Sequence, residues 1–496
     1  MRLLEVLLSL ANLLAFFSLA FRLPRAVRWM RLSAPAALPV AGVQALLEGT
    51  RWQMIPAYGL AGLFFFAWLL AKAAPSGNLS SRLARGLVAG LGIVGLPVSI
   101  ALPLLAPVFR FPPPGGPYRI GTLTYHWVDT SRPEIFSEPS ARRELMVQIW
   151  YPTRGETSSA RAPYVQGVGA LAPGLARLAH LPGFAFGHLR HVTTNAIPSA
   201  PVADEEPNYP VLLFLEGLGG FRQMNTFQVE ELVSHGYIVA AIDQPYAAAA
   251  VVFPDDRQAA GLPVDQSKPL VLQSYLPSET APTLHGRAFP EGIIPYLAQD
   301  VIFTLDRLAE LNREDPHGIL TGWLDLERAG TFGVSLGGIV AAESCRLAPQ
   351  LRACLFMDAP MPVGVVRDGL RQPTMIITRD AETMRLERER AGGWPEYEIE
   401  IHQTSMRAVY DSLPGDGYFL RVPGIFHIDF TDVPSWSPIA GRLGFSGLLP
   451  AERSHAILNA YTLTFFERHL KGRPAPLLDG PSAQYPEVLF ERRQNQ

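Results

Sequence analysis

A mostly parallel α/β sheet flanked by helices, preceded by an N-terminal transmembrane helical region, is what the sequence of this 496-residue chain predicts. Three observations carry that expectation. Apolar stretches crowd the chain before residue 111. From 144 to 470, short β-branched runs alternate with helical segments, the pattern of parallel strands joined by crossover helices. Between one such strand and helix stands Gly-x-Ser-x-Gly, as "GVSLG" at 333–337.

The chain is 48% hydrophobic and 18% charged, with a mean hydropathy of +0.13, so a membrane part is sought first. "LLEVLLSLANLLAFFSLAF" (3–21) and "WQMIPAYGLAGLFFFAWLLA" (52–71) approach the ~20 residues a helix needs to cross a bilayer. "GLVAGLGIVGLPVSIALPLLAPVF" (86–109) is longer, and Gly and Pro are tolerated in membrane helices. "SAPAALPVAGVQALLEG" (33–49) is short and carries two prolines, so three or four spans are expected over 1–110. A signal peptide is disfavoured for 3–21, because "RLPRAVRWMR" follows where a small-residue cleavage site would stand.

Charge is unevenly divided. Residues 1–110 hold ten Lys/Arg against Glu5 and Glu48, a net of +8, leaving −11 for 111–496 in a total of −3. An apolar basic front and an acidic remainder exclude nucleic-acid binding, which needs a basic domain. With four spans, Arg22–Arg31 and Lys72–Arg85 face the same side, the cytoplasm, and the remainder is extracytoplasmic. Cys345 and Cys354 lack metal-site spacing and leave one disulfide open.

"FPPPGGPYRIG" (111–121) opens a globular domain over 111–496. Strands are expected at 144–152, 209–217, 236–245, 328–335, 352–358 and 372–378, with 419–427 the last. Helices are expected at 224–235, 292–312, 337–346 and 452–470. Stretches 153–207 and 246–290, rich in Pro, Ala and Gly, read as insertions able to shape a substrate entrance.

Gly-x-Ser-x-Gly between strand and helix is the nucleophile elbow of the α/β-hydrolase fold. The turn forces the serine into unfavourable backbone angles, so Gly333 and Gly337 must lack bulk around Ser335. The helix that follows favours an anion at its N-terminus. A base and an orienting acid should come later in the chain. His427, in "GIFHIDF", follows the last strand-like run; His402 and His455 read as surface residues and His235 as a helix end. Asp358 and Asp380 each end a strand after the elbow, and spacing does not choose between them. Backbone amides of Leu336, directly after the serine, and of Leu218, in "EGLGGFRQ" (216–223), are the expected oxyanion donors.

"LLFLEGLGGFRQMNTFQVEELVSHGYIVAAIDQP", "GPYRIGTLTY", "GVSLGG", "LFMDAPM" and "GIFHIDFTD" together resemble the plasma-type platelet-activating factor acetylhydrolase family over roughly 115–250 and 290–435. The resemblance implies a calcium-independent serine hydrolase of the α/β-hydrolase fold acting on short or oxidised acyl esters of phospholipids. It points to Asp358 as the acid and supports Ser335, His427, Leu218 and Leu336. Two positions depart: Glu216 and Val334 stand where the family usually or often has His. A carboxylate at 216 would oppose an oxyanion if it faced the site. The apolar front is unlike secreted animal members and resembles bacterial, membrane-anchored ones.

The expected function is thus a membrane-anchored serine ester hydrolase with no cofactor and no metal, whose partners are a small-molecule ester or lipid substrate and the membrane. A general carboxylesterase or peptidase on the same scaffold is the nearest alternative. A catalytically silent binding domain has only Glu216 in its favour. A transporter is a poor fit, because Glu5 is nearly the only charge within the spans.

Overall fold

The computed structural model describes residues 1–496 except 22–23, 74–78, 138–140, 156–159 and 495–496, and only the backbone of 79–85 and 87. Arg22 and the side chains of Arg82 and Arg85, used above for orientation, therefore lie outside the described residues. The chain forms two compact units. One comprises Met1–Phe109 with Phe186–Val192 and Trp436–Ile439, and the other holds the remaining residues.

In the first unit, helices α1 (Leu3–Ala20), α2 (Ser33–Leu47), α3 (Ile55–Ala73) and α4 (Leu79–Leu105) pack side by side. Among the described residues, four helical segments, Leu3–Ala20, Arg25–Leu47, Trp52–Ala73 and Val88–Leu105, are long and apolar enough to cross a membrane. The short stretch at 33–49 reaches that length because a 3-10 segment, Arg25–Leu32, runs directly into α2, which accommodates Pro39. Arg51 pairs with the buried carboxylate of Glu5 at 2.7 Å, and Asn12 Nδ2 donates to the Ala57 carbonyl at 2.9 Å. Polar groups inside an apolar bundle are tolerated when paired in this way.

The second unit is built on one ten-stranded sheet. Its strands are β1 (Arg119–Pro133), β2 (Arg142–Thr153), β3 (Ile197–Pro198), β4 (Tyr209–Leu215), β5 (Ile238–Asp243), β10 (Leu324–Val334), β11 (Leu351–Met357), β12 (Thr374–Thr378), β13 (Gly417–Arg421) and β14 (Leu489–Arg493). Two hairpins, β6 (Ala250–Val252) with β7 (Gln258–Ala260) and β8 (Thr283–Leu284) with β9 (Arg287–Ala288), lie outside it. The spatial order is β14-β13-β12-β11-β10-β4-β5-β2-β1-β3, and the six strands from β13 to β5 are mutually parallel. This is the α/β-hydrolase fold.

Parallel strands covered on both faces are apolar throughout. In β4 all seven residues are buried: Val211, Leu213 and Leu215 join one core and Leu212 and Phe214 the other. The first core packs α8 (Ile294–Arg313), α9 (Leu336–Leu347) and α12 (Glu396–Ser412) on the sheet; the second packs α6 (Thr226–Ser234) and α13 (Ala451–Lys471).

Several expectations are corrected. The strand expected at 419–427 ends at Arg421, and His427 instead opens a 3-10 turn, His427–Phe430. The last strand is β14, an antiparallel edge strand whose charged "LFERR" shows no run of buried residues. The stretch 153–207 contains α5 (Val168–Leu178), and 246–290 contains α7 (Val264–Leu272); internal prolines, Pro173 and Pro269, hid both. His402 is not on the surface. It lies buried on α12.

Candidate active site

Ser335 sits at the carboxyl edge of the sheet, between β10 and α9. Its backbone is left-handed at φ +56, a costly conformation for a residue with a side chain. Its N–H continues the ladder to Met357 O of β11 at 2.9 Å, so the turn is held from the side. The flanking glycines are required by contact. A Cβ on Gly333 would collide with the Gly337 backbone, and one on Gly337 with the Leu215 carbonyl. Although Ser335 occupies the helix N-cap position, its hydroxyl makes no capping bond, unlike an ordinary N-cap serine. The hydroxyl is left for other chemistry.

The expected oxyanion loop closes on this elbow. A Cβ on Gly217 would lie 3.2 Å from Ser335 Cβ. Within the loop the Gly219 amide donates to Ala247 O at 2.7 Å and the Gly220 amide to Gly217 O at 2.8 Å. Among the described residues, the Leu218 and Leu336 amides have no hydrogen-bond acceptor. Leu336 is the first residue of α9, where an amide has no partner one turn earlier.

Asp358 follows β11 and is also left-handed, at φ +47. Its carboxylate is fully buried, and Oδ2 lies 2.6 Å from His427 Nδ1. Oδ1 accepts from Thr378 Oγ1 at 2.9 Å. Burial pushes this carboxyl up, but the Arg379 guanidinium and the bond from His427 outweigh it and hold the group well below the usual carboxylate range. Facing an ionised carboxylate, Nδ1 must carry the ring proton, which leaves Nε2 to accept. The His427 side chain is 26% exposed. Asp380 is placed differently: it caps α11 (Ala381–Ala391), with Oδ1 accepting from the Thr383 amide at 2.6 Å. Spacing alone left the two acids equal; the fold brings only Asp358 to His427.

Sequence reasoning missed the surroundings of this pair. Arg379, 1% exposed, places Nε 2.8 Å from Asp358 Oδ2, at an angle that makes an ion pair without a hydrogen bond. Its Nη1 pairs with Glu387 of α11. The Glu387 carboxylate in turn lies 3.3 Å from the His427 backbone N–H. Trp394 stacks under the Arg379 guanidinium at 4.8 Å and meets the His427 ring edge-on at 4.9 Å. His402 Nε2 stands 3.8 Å from Asp358 Oδ1, and burial lowers its pKa to about 4, so it is neutral. In the sequence, "TRDAET" offers Arg379 only as one more charged residue beside a helix cap. Its burial is a property of the packed fold.

Glu216 does not act as a charge opposing the oxyanion loop. It is buried, its Oε1 accepts from the Gln244 amide at 3.3 Å, and burial with the neighbouring Asp243 raises its pKa well above the ordinary value. Asp243 is occupied by the Arg222 guanidinium and by the Arg222 amide at 2.6 Å. Cys345 of α9 and Cys354 of β11 form a disulfide with a Cα–Cα distance of 6.6 Å. Among the described residues, no group of three or more His, Cys, Asp or Glu is placed to hold a metal ion.

Residues 106–277 match the family described as platelet-activating factor acetylhydrolase, isoform II. A probable 1-alkyl-2-acetylglycerophosphocholine esterase from Arthroderma benhamiae is 24% identical over 429 residues, covering 82% of this chain and 99% of the relative. A platelet-activating factor acetylhydrolase from Cavia porcellus is 23% identical over 379 residues, 72% of this chain and 78% of the relative. Among solved structures, a ferulic acid esterase from Streptomyces cinnamoneus superposes with a TM-score of 0.60 at 29% identity, over 77% of this chain and 99% of that one. These relatives are named as enzymes that cleave carboxylic esters, and the chain is a carboxylic ester hydrolase. Over residues 106–277 it is similar to the platelet-activating factor acetylhydrolase family.

Proposed function

We propose that this protein is a membrane-anchored serine hydrolase that cleaves short-acyl lipid esters through an acyl-enzyme, with Ser335, His427 and Asp358 as nucleophile, base and orienting acid. The 2.6 Å contact between His427 Nδ1 and a buried, ionised Asp358 is the observation that carries the reading. With Nδ1–H donated to the carboxylate, His427 Nε2 takes the Ser335 proton as the hydroxyl attacks the ester carbonyl. Asp358 stabilises the resulting imidazolium. The Leu218 and Leu336 amides donate to the tetrahedral oxyanion, and α9 points the positive end of its dipole at the same place. The imidazolium protonates the departing alcohol; water activated by His427 then attacks the acyl-Ser335 ester, and the acid leaves. Among the described residues the Ser335 hydroxyl makes no capping bond to its own helix, and hydrogen bonds between nucleophile and base commonly tighten only when substrate enters.

The names of the fungal and guinea-pig relatives favour an acetylated glycerophospholipid or a similar short-acyl lipid. Likeness to a ferulic acid esterase favours a second reading, a general carboxylesterase acting on non-lipid esters. For placement, four apolar segments support a multi-pass anchor with the hydrolase unit outside the cytoplasm. The Cys345–Cys354 disulfide supports the same side, because such bonds persist in oxidising compartments. A periplasmic or surface reporter fused after Gln496 checks it; reporter activity in the cytoplasm would sink the four-span arrangement.

Hydrolysis of p-nitrophenyl esters with acyl chains from two to twelve carbons, by the detergent-solubilised chain and by Ser335→Ala, tests the reaction. The expected outcome is a loss of about 10⁴-fold or more in kcat for Ser335→Ala and fluorophosphonate labelling of the parent only. A profile that falls steeply beyond short chains supports the lipid acetylhydrolase reading. Equal use of all lengths, with no action on an acetylated glycerophospholipid, favours the carboxylesterase.

A further inference from the structure

Four contacts close a ring behind the site. Asp358 Oδ2 meets His427 Nδ1 at 2.6 Å and Arg379 Nε at 2.8 Å. Arg379 Nη1 meets Glu387, and Glu387 returns to the His427 backbone N–H at 3.3 Å. The ring ties together the end of β11, the residue after β12, helix α11 and the turn that opens with His427.

We infer that Arg379 and Glu387 are positioning residues that hold His427 against Asp358 and balance the charge its ring faces. The inference rests on the triad reading above. Its argument is geometric and electrostatic. A lone ionised carboxylate at Nδ1 stabilises the imidazolium. Arg379, almost completely buried and in contact with the same carboxylate, cancels much of that effect. Glu387 neutralises Arg379 in turn, so Asp358, Arg379 and Glu387 together present a single negative charge to the ring. The purpose of the arrangement is mechanical as well. Glu387 grips the backbone of His427 while Arg379 grips the acid, so neither half of the pair can rotate away independently.

The other groups facing the pair do not supply this balance. Burial lowers the pKa of His402 on α12 to about 4, neither of its ring nitrogens has a hydrogen bond among the described residues, and Trp394 is uncharged. Asp429, two residues after His427, is turned to Ser446 Oγ and to the amides of Phe426 and Gly447. Thr378 bonds the far oxygen of Asp358. Removing either member of the Arg379–Glu387 pair therefore changes the charge next to His427 by one unit, in opposite directions.

The test is the pH dependence of kcat/KM for p-nitrophenyl acetate, measured on the detergent-solubilised full chain from pH 4.5 to 9. In Glu387→Gln the net charge beside the ring falls to zero, and the acidic limb moves to lower pH by about half to one unit. In Arg379→Met two carboxylates remain, and the limb moves to higher pH by a similar amount. The double variant returns close to the parent, and Arg379→Lys, which keeps the charge but not the fork, keeps the limb while lowering kcat. A purely structural role would lower activity in all of these without opposite displacements. Acidic limbs of both single variants that coincide with the parent's overturn the inference. Should Arg379→Met fail to fold, Glu387→Gln decides alone, and an unmoved or upward limb overturns it. Ser335→Ala, run alongside, separates this from the triad reading: if it hydrolyses ester as fast as the parent, that reading has failed instead.

Discussion

Asp358 and Asp380 follow adjacent parallel strands, β11 and β12, yet only the Asp358 carboxylate meets His427; that of Asp380 turns back to cap its own helix. The consequence is an unequal pair of variants. Asp358→Asn leaves an amide that cannot fix the productive imidazole tautomer and is expected to lower kcat by about 10⁴-fold. Asp380→Asn is expected to retain the parent kcat, since asparagine caps helices as well as aspartate, while Asp380→Ala costs about 1 kcal/mol of stability. Steady-state kinetics and chemical denaturation of the three variants check both statements. A crippled Asp380→Asn enzyme with an active Asp358→Asn would reverse the assignment.

The disulfide joins the helix that begins directly after Ser335 to the strand that ends just before Asp358. Its cysteines are nine positions apart, so closing the loop in the unfolded chain is worth about 2–3 kcal/mol. Cys345→Ala is expected to lower stability by that amount, read from denaturant unfolding followed by tryptophan fluorescence. The denatured parent, without reductant, is expected to titrate as free of thiols. Two titratable thiols and a denaturation midpoint insensitive to reductant would refute the bond.

Glu216 predicts a slope of stability against pH. Its folded-state pKa lies well above the roughly 4.3 of an unfolded glutamate, so in the window between the two the native state holds a proton that the unfolded state has lost. Stability therefore falls as pH rises from about 4.3 toward the folded-state value. Glu216→Gln keeps the neutral shape without the ionisable group, and is expected to be more stable than the parent near pH 8 and equal to it near pH 4, with activity retained. Thermal midpoints of both proteins at those two pH values decide. A variant destabilised equally at both would show that the carboxyl serves in its charged form.

How much was legible from the residues varies with the range of the interaction. Apolar runs such as "YPVLLFLEG" and the elbow glycines are local signals, and β4, β10 and the turn at Ser335 stand where those signals place them. The edge strand β14 and helices α5 and α7 were not legible, because a charged edge strand and proline-interrupted helices lack the periodicity that marks buried elements. His402 misled for a related reason: the polar sequence around it describes the exposed face of α12, while the ring itself points inward.

Class of fold, apolar N-terminal helices and the position of the serine are all readable along the chain, since each depends on residues close together in it. Packing, by contrast, brings Asp358 and not Asp380 to His427, buries Glu216 so that its pKa is raised, and closes Arg379 and Glu387 into a ring around the pair. Those outcomes depend on burial and mostly on contacts between residues far apart in the chain, such as the 69 positions that separate Asp358 from His427. No local pattern encodes the dielectric around a carboxyl group. Packing of the sheet and its helices does.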